Sequence, residues 1–181
     1  MSRVPLTTPE TAPAASRPLL QAIHGAFGVT PNMFRAVGNS AAALSSMWGS
    51  FGALGTGRIP ARLGELIAVA VADRNRCHYC LAAHTALGRK AGATAEELSE
   101  AQAGRSADPR TAAALAFALT VVERRAQLEA ADVDALRAAG FDDGEVVEIL
   151  AHVALNLFTN YVNVAFDVPV DFPAVALRQA A

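Results

Sequence analysis

Two cysteines and a histidine, Cys77, Cys80 and His84, are the residues whose types and spacing suit redox chemistry in this 181-residue chain. At roughly 100° per residue, steps of three and seven put their side chains within a stripe about 60° wide on one helical face. Both cysteines of the chain are used here, so neither staples a remote loop. A ring closed across two intervening residues adds little stability through chain entropy, and its value is chemical. A pair of small buried hydrophobes is the bland alternative, and the neighbouring imidazole weighs against it. A zinc site would need a fourth ligand that no second C-x-x-C or H-x-x-x-H supplies, so no metal is expected. Nor is a bound organic cofactor expected, because no glycine-rich phosphate loop follows a strand.

Upstream, Glu65 is the single acid in the run from Leu63 to Ala72. Burial destabilises a carboxylate and makes it a usable proton carrier near neutral pH, unless a partner holds it ionised. The bland alternative is a residue near a helix start after Ile59-Pro60, facing water or favouring the dipole. Unbroken helix would separate Glu65 from Cys77 by about 18 Å, so the two meet only if the chain bends between them. Asp73-Arg74-Asn75-Arg76 is the expected bend, with Asn75 capping the next helix and Cys77 in its first turn. There, unpaired N–H groups favour a thiolate at Cys77. The four-residue step to His84 favours Cys80 instead, so the nucleophile stays open between the two, with Cys80 preferred.

Glu65, eleven intervening residues, Cys77-x-x-Cys80 and then His84 resemble the signature of the alkyl hydroperoxidase D (AhpD) proteins of the carboxymuconolactone decarboxylase superfamily. Pro31-Asn32-Met33-Phe34-Arg35, Asn160-Tyr161-Val162-Asn163 and Asp171-Phe172-Pro173 are similar to its peroxidase-related branch. The resemblance implies an all-α, AhpD-like helical bundle assembled as a homo-oligomer, acting as a thiol peroxidase or disulfide reductase. It further implies that Cys80 attacks the peroxide, Cys77 resolves the sulfenic acid, and Glu65 and His84 relay a proton. A hydroperoxide is the implied substrate, and a dithiol or lipoyl protein the implied reductant. Where the pattern has a second histidine immediately before the second cysteine, this chain carries Tyr79, and His78 points about 100° away around a helix. A carboxymuconolactone decarboxylase-like lyase would have no need of two thiols. A non-catalytic redox-sensing oligomer would use them without turnover.

The rest of the chain fits a scaffold for that site. With 52% hydrophobic residues, one domain can bury a substantial core without staples. A net charge of −2 without a Lys/Arg cluster argues against a nucleic-acid partner. Residues 1–18, with Pro5, Pro9, Pro13 and Pro18, read as an extended arm without the apolar core of a signal peptide, ahead of a single helical domain over 19–181. A reducing cytoplasm is the default location, where a C-x-x-C is catalytic more often than structural. The apolar stretch from Val146 to Phe166 carries Glu148, His152, Asn156, Asn160 and Asn163, costly in lipid, so no membrane partner is expected.

Helical punctuation recurs and strand alternation does not. Helices are expected near 17–26, 31–37, 40–54, 60–73, 77–91, 94–103, 109–128, 132–139, 143–165 and 173–179. Thr30-Pro31 and Asp108-Pro109 read as caps followed by proline, Thr94-x-x-Glu97 and Asp142-x-x-Glu145 as capping boxes, and Gly92 and Gly140 as helix ends. The loop at 104–107 divides the chain into halves. The helices at 60–73 and 143–165 are apolar around most of their circumference, which points to subunit association. His152, Asn156 and Asn160 form a polar stripe, read first as an interhelical or interface network and second as a lining of the thiol pocket. Met47, Trp48 and Phe51 read first as core or interface and second as a substrate wall, and His24 carries no assigned role.

Overall fold

The computed structural model describes residues 2–178, and among them every regular element is helical. The helices are α1 (Arg17–Phe27), α2 (Asn32–Val37), α3 (Ala41–Leu54), α4 (Ala61–Arg74), α5 (His78–Lys90), α6 (Ala95–Gln102), α7 (Pro109–Glu123), α8 (Ala130–Ala138) and α9 (Asp143–Phe166). Several begin where local chemistry says they should. The side chains of Thr94, Asp108 and Asp142 accept the N–H three residues on, and the boxes closed by Glu97 and Glu145 are complete. Gly92 and Gly140 follow α5 and α8 at φ 90° and 88°, a conformation that costs glycine no Cβ clash.

Helix α4 is the centre of the molecule. Its residues from Leu66 to Ala72 are all buried, and it packs on α5, α6, α7 and α9. Its all-round apolarity is therefore met inside the chain and needs no second subunit. The loop at 104–107 is likewise no boundary, because α4 packs on both α6 before it and α7 after it. Helix α9 is long and apolar enough, by length and composition, to cross a bilayer. Its Asn156, Asn160 and Asn163 are nevertheless buried against the rest of the chain.

Four expectations are corrected. Residues 173–178 are not helical, and residue 179 lies outside the described residues. This segment has no side-chain cap of its own and is held instead by remote groups, Gln102 Nε2 donating to Ala176 O at 2.8 Å and Arg178 N donating to Asp73 Oδ1 at 3.0 Å. Thr30 does not cap α2: Pro31 occupies the cap position, and Asn32 N donates to Asp171 Oδ2 at 2.7 Å. Helix α7 stops at Glu123, ahead of Arg125 and Ala126 at φ 51° and 59°. Asn75 does not start α5. It ends α4, Arg76 turns left-handed at φ 55°, and Cys77 itself is the N-cap of α5.

The N-terminal arm lies along the body, with Arg3 N donating to Phe166 O at 2.7 Å and Asn39 Nδ2 to Pro5 O at 2.7 Å. Its end is folded, with a turn at 9–11 and a 3-10 turn at Ala14–Ser16 leading into α1 at Arg17.

Candidate active site

The left-handed step at Arg76 reverses the chain and folds α5 back along α4. Gly88 of α5 leaves room for Leu98 of α6, whose Cδ2 would stand 2.7 Å from a Cβ there, and meets Glu65 of α4 at an ordinary contact distance, 3.5 Å from such a Cβ to Glu65 Cβ. Glu65 and His84, distant in sequence, are thereby brought together, with 2.8 Å between His84 Nδ1 and Glu65 Oε2. The carboxylate accepts from the imidazole and orients it.

Cys77 caps α5 through sulfur: its Sγ accepts from Cys80 N at 3.3 Å. Cys80, not Cys77, then lies in the first helical turn, so the helix-terminus argument moves to Cys80 and no longer opposes the step to His84. Both thiols are buried and unbonded. Asn163 Nδ2 donates to Cys80 Sγ at 3.1 Å, and the Thr159 hydroxyl lies 3.9 Å from the same sulfur.

These contacts separate the two thiols. Burial opposes a thiolate at Cys80, but the Cys77 thiol, the charge of His84 and the amides of Asn163 and Asn160 outweigh it and lower its pKa to about 6. Cys77 is pushed far up, first because it donates to the Cys80 sulfur and then by burial. His84 is raised: burial disfavours the imidazolium, and the Glu65 carboxylate and the Cys80 sulfur more than offset that. The shifts favour an imidazolium on His84 beside a thiolate on Cys80.

In front of Cys80 and His84 lies an apolar cavity of about 40 Å³, walled by Phe27, Phe34, Phe51, Tyr79 and Phe172. Phe51 is thus a site wall, whereas Met47 is fully buried core and Trp48 packs edge-on against Phe34 at 5.8 Å. Tyr79, where the resemblance has histidine, takes no such role. Its hydroxyl accepts from Met33 N at 3.2 Å, its ring meets Phe172 edge-on at 5.7 Å, and burial pushes its phenol above the usual range. It is a wall and a fastener for α2.

Behind the Glu65–His84 pair is a second cavity of about 200 Å³, bordered by His152 and Asn156. Gly64 makes room for the His152 ring, whose Cε1 would stand 3.2 Å from a Cβ at that position. Burial lowers the His152 pKa. The polar stripe of α9 therefore divides: His152 and Asn156 line this chamber, while Asn160 accepts from Asn75 Nδ2 at 2.9 Å and braces the bend. Asn163 and Thr159 escaped the sequence reading as site residues. The signal was present, since Asn163 lies three residues after Asn160 and continues the stripe. Among the described residues no group of three or more His, Cys, Asp or Glu side chains is placed to hold a metal.

Residues 40–124 match the carboxymuconolactone decarboxylase family. No curated protein matches the chain in sequence. A peroxidase-related protein from Ralstonia eutropha JMP134, an alkylhydroperoxidase AhpD core, is 26% identical with a TM-score of 0.81, covering 94% of this chain and 92% of that one. One from Silicibacter sp. TM1040 is 24% identical with a TM-score of 0.79, covering 93% and 91%. The debrominase Bmp8, in a cysteine-to-alanine variant solved with 2,3,4-tribromopyrrole, shares the fold at 21% identity and a TM-score of 0.78, covering 93% and 91%. Residues 40–124 are thus a carboxymuconolactone decarboxylase family domain, set in a chain with the all-helical, AhpD-like fold of the peroxidase-related proteins.

Proposed function

We propose that this chain is a cysteine-pair oxidoreductase that reduces hydroperoxides, with Cys80 as attacking thiolate, Cys77 as resolving thiol and Glu65–His84 as proton relay. The observation that carries this reading is the convergence on one sulfur: Asn163 donates to Cys80 Sγ at 3.1 Å, and His84, held by Glu65, borders the same apolar cavity. In the first step the Cys80 thiolate attacks a peroxide oxygen and the O–O bond breaks. The sulfur becomes a sulfenic acid, and the departing alkoxide takes the proton held on His84 and leaves as an alcohol. Cys77 then attacks the sulfenic sulfur, the disulfide forms, and hydroxide leaves with the Cys77 proton as water. Aromatic walls favour an apolar organic hydroperoxide.

Those walls also favour a second reading, reductive removal of halogen from a planar ring. There the two thiols supply two electrons, a proton replaces bromine, and bromide leaves beside the same disulfide.

The deciding experiment supplies cumene hydroperoxide and dithiothreitol to the purified protein. Repeated turnover is expected, with both free thiols lost after one equivalent of hydroperoxide without reductant. Cys77→Ser should stop at a sulfenic acid trapped on Cys80, and Cys80→Ser should react much more slowly. Thiols that stay free overturn the reading. A single oxidation without turnover makes the protein a redox sensor, and bromide release from tribromopyrrole in the absence of peroxide turnover favours the second reading.

We also propose that the chain works as a homo-oligomer joined through the outer side of α9, where Val147, Leu150, Phe158, Tyr161 and Val164 are exposed. Apolar side chains concentrated on one helix face mark an association surface.

A further inference from the structure

A disulfide presents two sulfurs to an incoming thiolate, and access decides which is attacked. The nucleophile approaches along the S–S axis, from the side away from the departing sulfur. Here each cysteine, although buried, lines an opening of its own. Cys80 borders the apolar cavity and Cys77 does not. Cys77 borders a separate groove of about 420 Å³, between the start of α5 and the end of α9, and Cys80 does not. Around that groove stand Arg76, His78, Asn163, Asp167 and Val170. The cavity over Cys80 is small and almost wholly apolar, and burying a thiolate there without partners is costly. The groove over Cys77 is larger and mixed in character, with the sequence neighbours Arg76 and His78 exposed along it. A guanidinium nearby favours the thiolate form of an approaching reductant.

We propose that the groove over Cys77 is the docking site of a small dithiol reductant with a polar body, which opens the disulfide by attacking Cys77 from an opening separate from the oxidant's cavity. This rests on the reading of Cys77 and Cys80 as the redox pair. The reductant's thiolate bonds to Cys77 Sγ, the Cys77–Cys80 bond breaks, and Cys80 leaves as the thiolate that the Asn163 amide receives. The reductant's second thiol then displaces Cys77 and closes its own disulfide. Two electrons pass to the protein, and the two protons of the dithiol end on Cys77 and on His84. The better leaving group is the thiol of lower pKa, and Cys80 is the lowered one of the pair. Access and leaving-group chemistry choose the same sulfur.

The test uses disulfide made with diamide, so that it does not depend on peroxide turnover. Brief treatment with limiting 2-mercaptoethanol and quenching with N-ethylmaleimide should give a mercaptoethanol adduct on Cys77 and maleimide on Cys80, read by peptide mass. The reverse labelling overturns the proposal alone. A protein that forms no intrachain disulfide removes the redox-pair reading and this proposal with it. As a second measure, Val170→Trp narrows the groove. It should slow reduction of the disulfide by dithiothreitol several-fold while leaving oxidation of the reduced protein by cumene hydroperoxide unchanged. Unaltered reduction, or equal slowing of both halves, counts against the groove.

Discussion

At the residue scale, the chemistry depends on charges that hold one another in place. With the Cys80 pKa lowered to about 6 by its neighbours, its alkylation by iodoacetamide should rise with pH around a midpoint near that value. Asn163→Ala removes a hydrogen bond to a charged sulfur, worth roughly 1.5–3 kcal/mol. The midpoint should then climb by about one to two pH units, and a midpoint that stays put would exclude Asn163 from tuning the thiol. Glu65→Gln keeps the side-chain shape but removes the charge that holds His84 above its ordinary range. Burial then dominates, the imidazole is neutral at pH 7, and peroxide reduction should fall about a hundredfold, the usual scale of lost acid–base catalysis. Stopped-flow oxidation with unchanged circular dichroism is the check, and wild-type rates in the variant would exclude the relay.

At the scale of elements, the site depends on how α5 and α2 begin. Because the Cys77 sulfur caps α5, serine at this position keeps an acceptor and alanine does not. Cys77→Ala should be less stable than Cys77→Ser by about 1 kcal/mol, measured by urea unfolding. Equal stabilities would show that the sulfur contributes nothing as a cap. Helix α2 starts without a local cap and borrows Asp171, whose neighbour Phe172 walls the cavity over Cys80. Asp171→Ala should therefore lower stability by about 1 kcal/mol and raise the KM for cumene hydroperoxide more than it lowers kcat. A change confined to kcat would detach this segment from substrate binding.

For the whole molecule, two helices share an apolar character with different outcomes. The apolar faces of α4 are consumed by four neighbouring helices, whereas α9 keeps Val147 and Tyr161 more than half exposed, at 65% and 62%. An isologous pairing of α9 faces would bury both copies of that stripe. Sedimentation should find the wild type as an oligomer, and Phe158→Glu with Tyr161→Glu should release monomers of unchanged helicity. A wild type that sediments as a monomer at micromolar concentration would end the proposal.

The sequence by itself determined what is local. Side chains that cap within three residues, glycines that end helices, and the stripe of Cys77, Cys80 and His84 all follow from helical period and backbone chemistry, which act over a single turn. The need for a bend between Glu65 and Cys77 was legible for the same reason. Its form was not, because a left-handed Arg76 and a cysteine cap have no strong sequence signature. Convergence belonged to the tertiary structure alone. Asn163 reaches Cys80 across 83 residues and Asp171 reaches α2 across 139, while Phe172 closes the cavity from outside any helix, read or observed. Such contacts depend on which helix faces pack together around α4. No spacing rule within one helix encodes that choice, and here it decided which sulfur the Asn163 amide reaches.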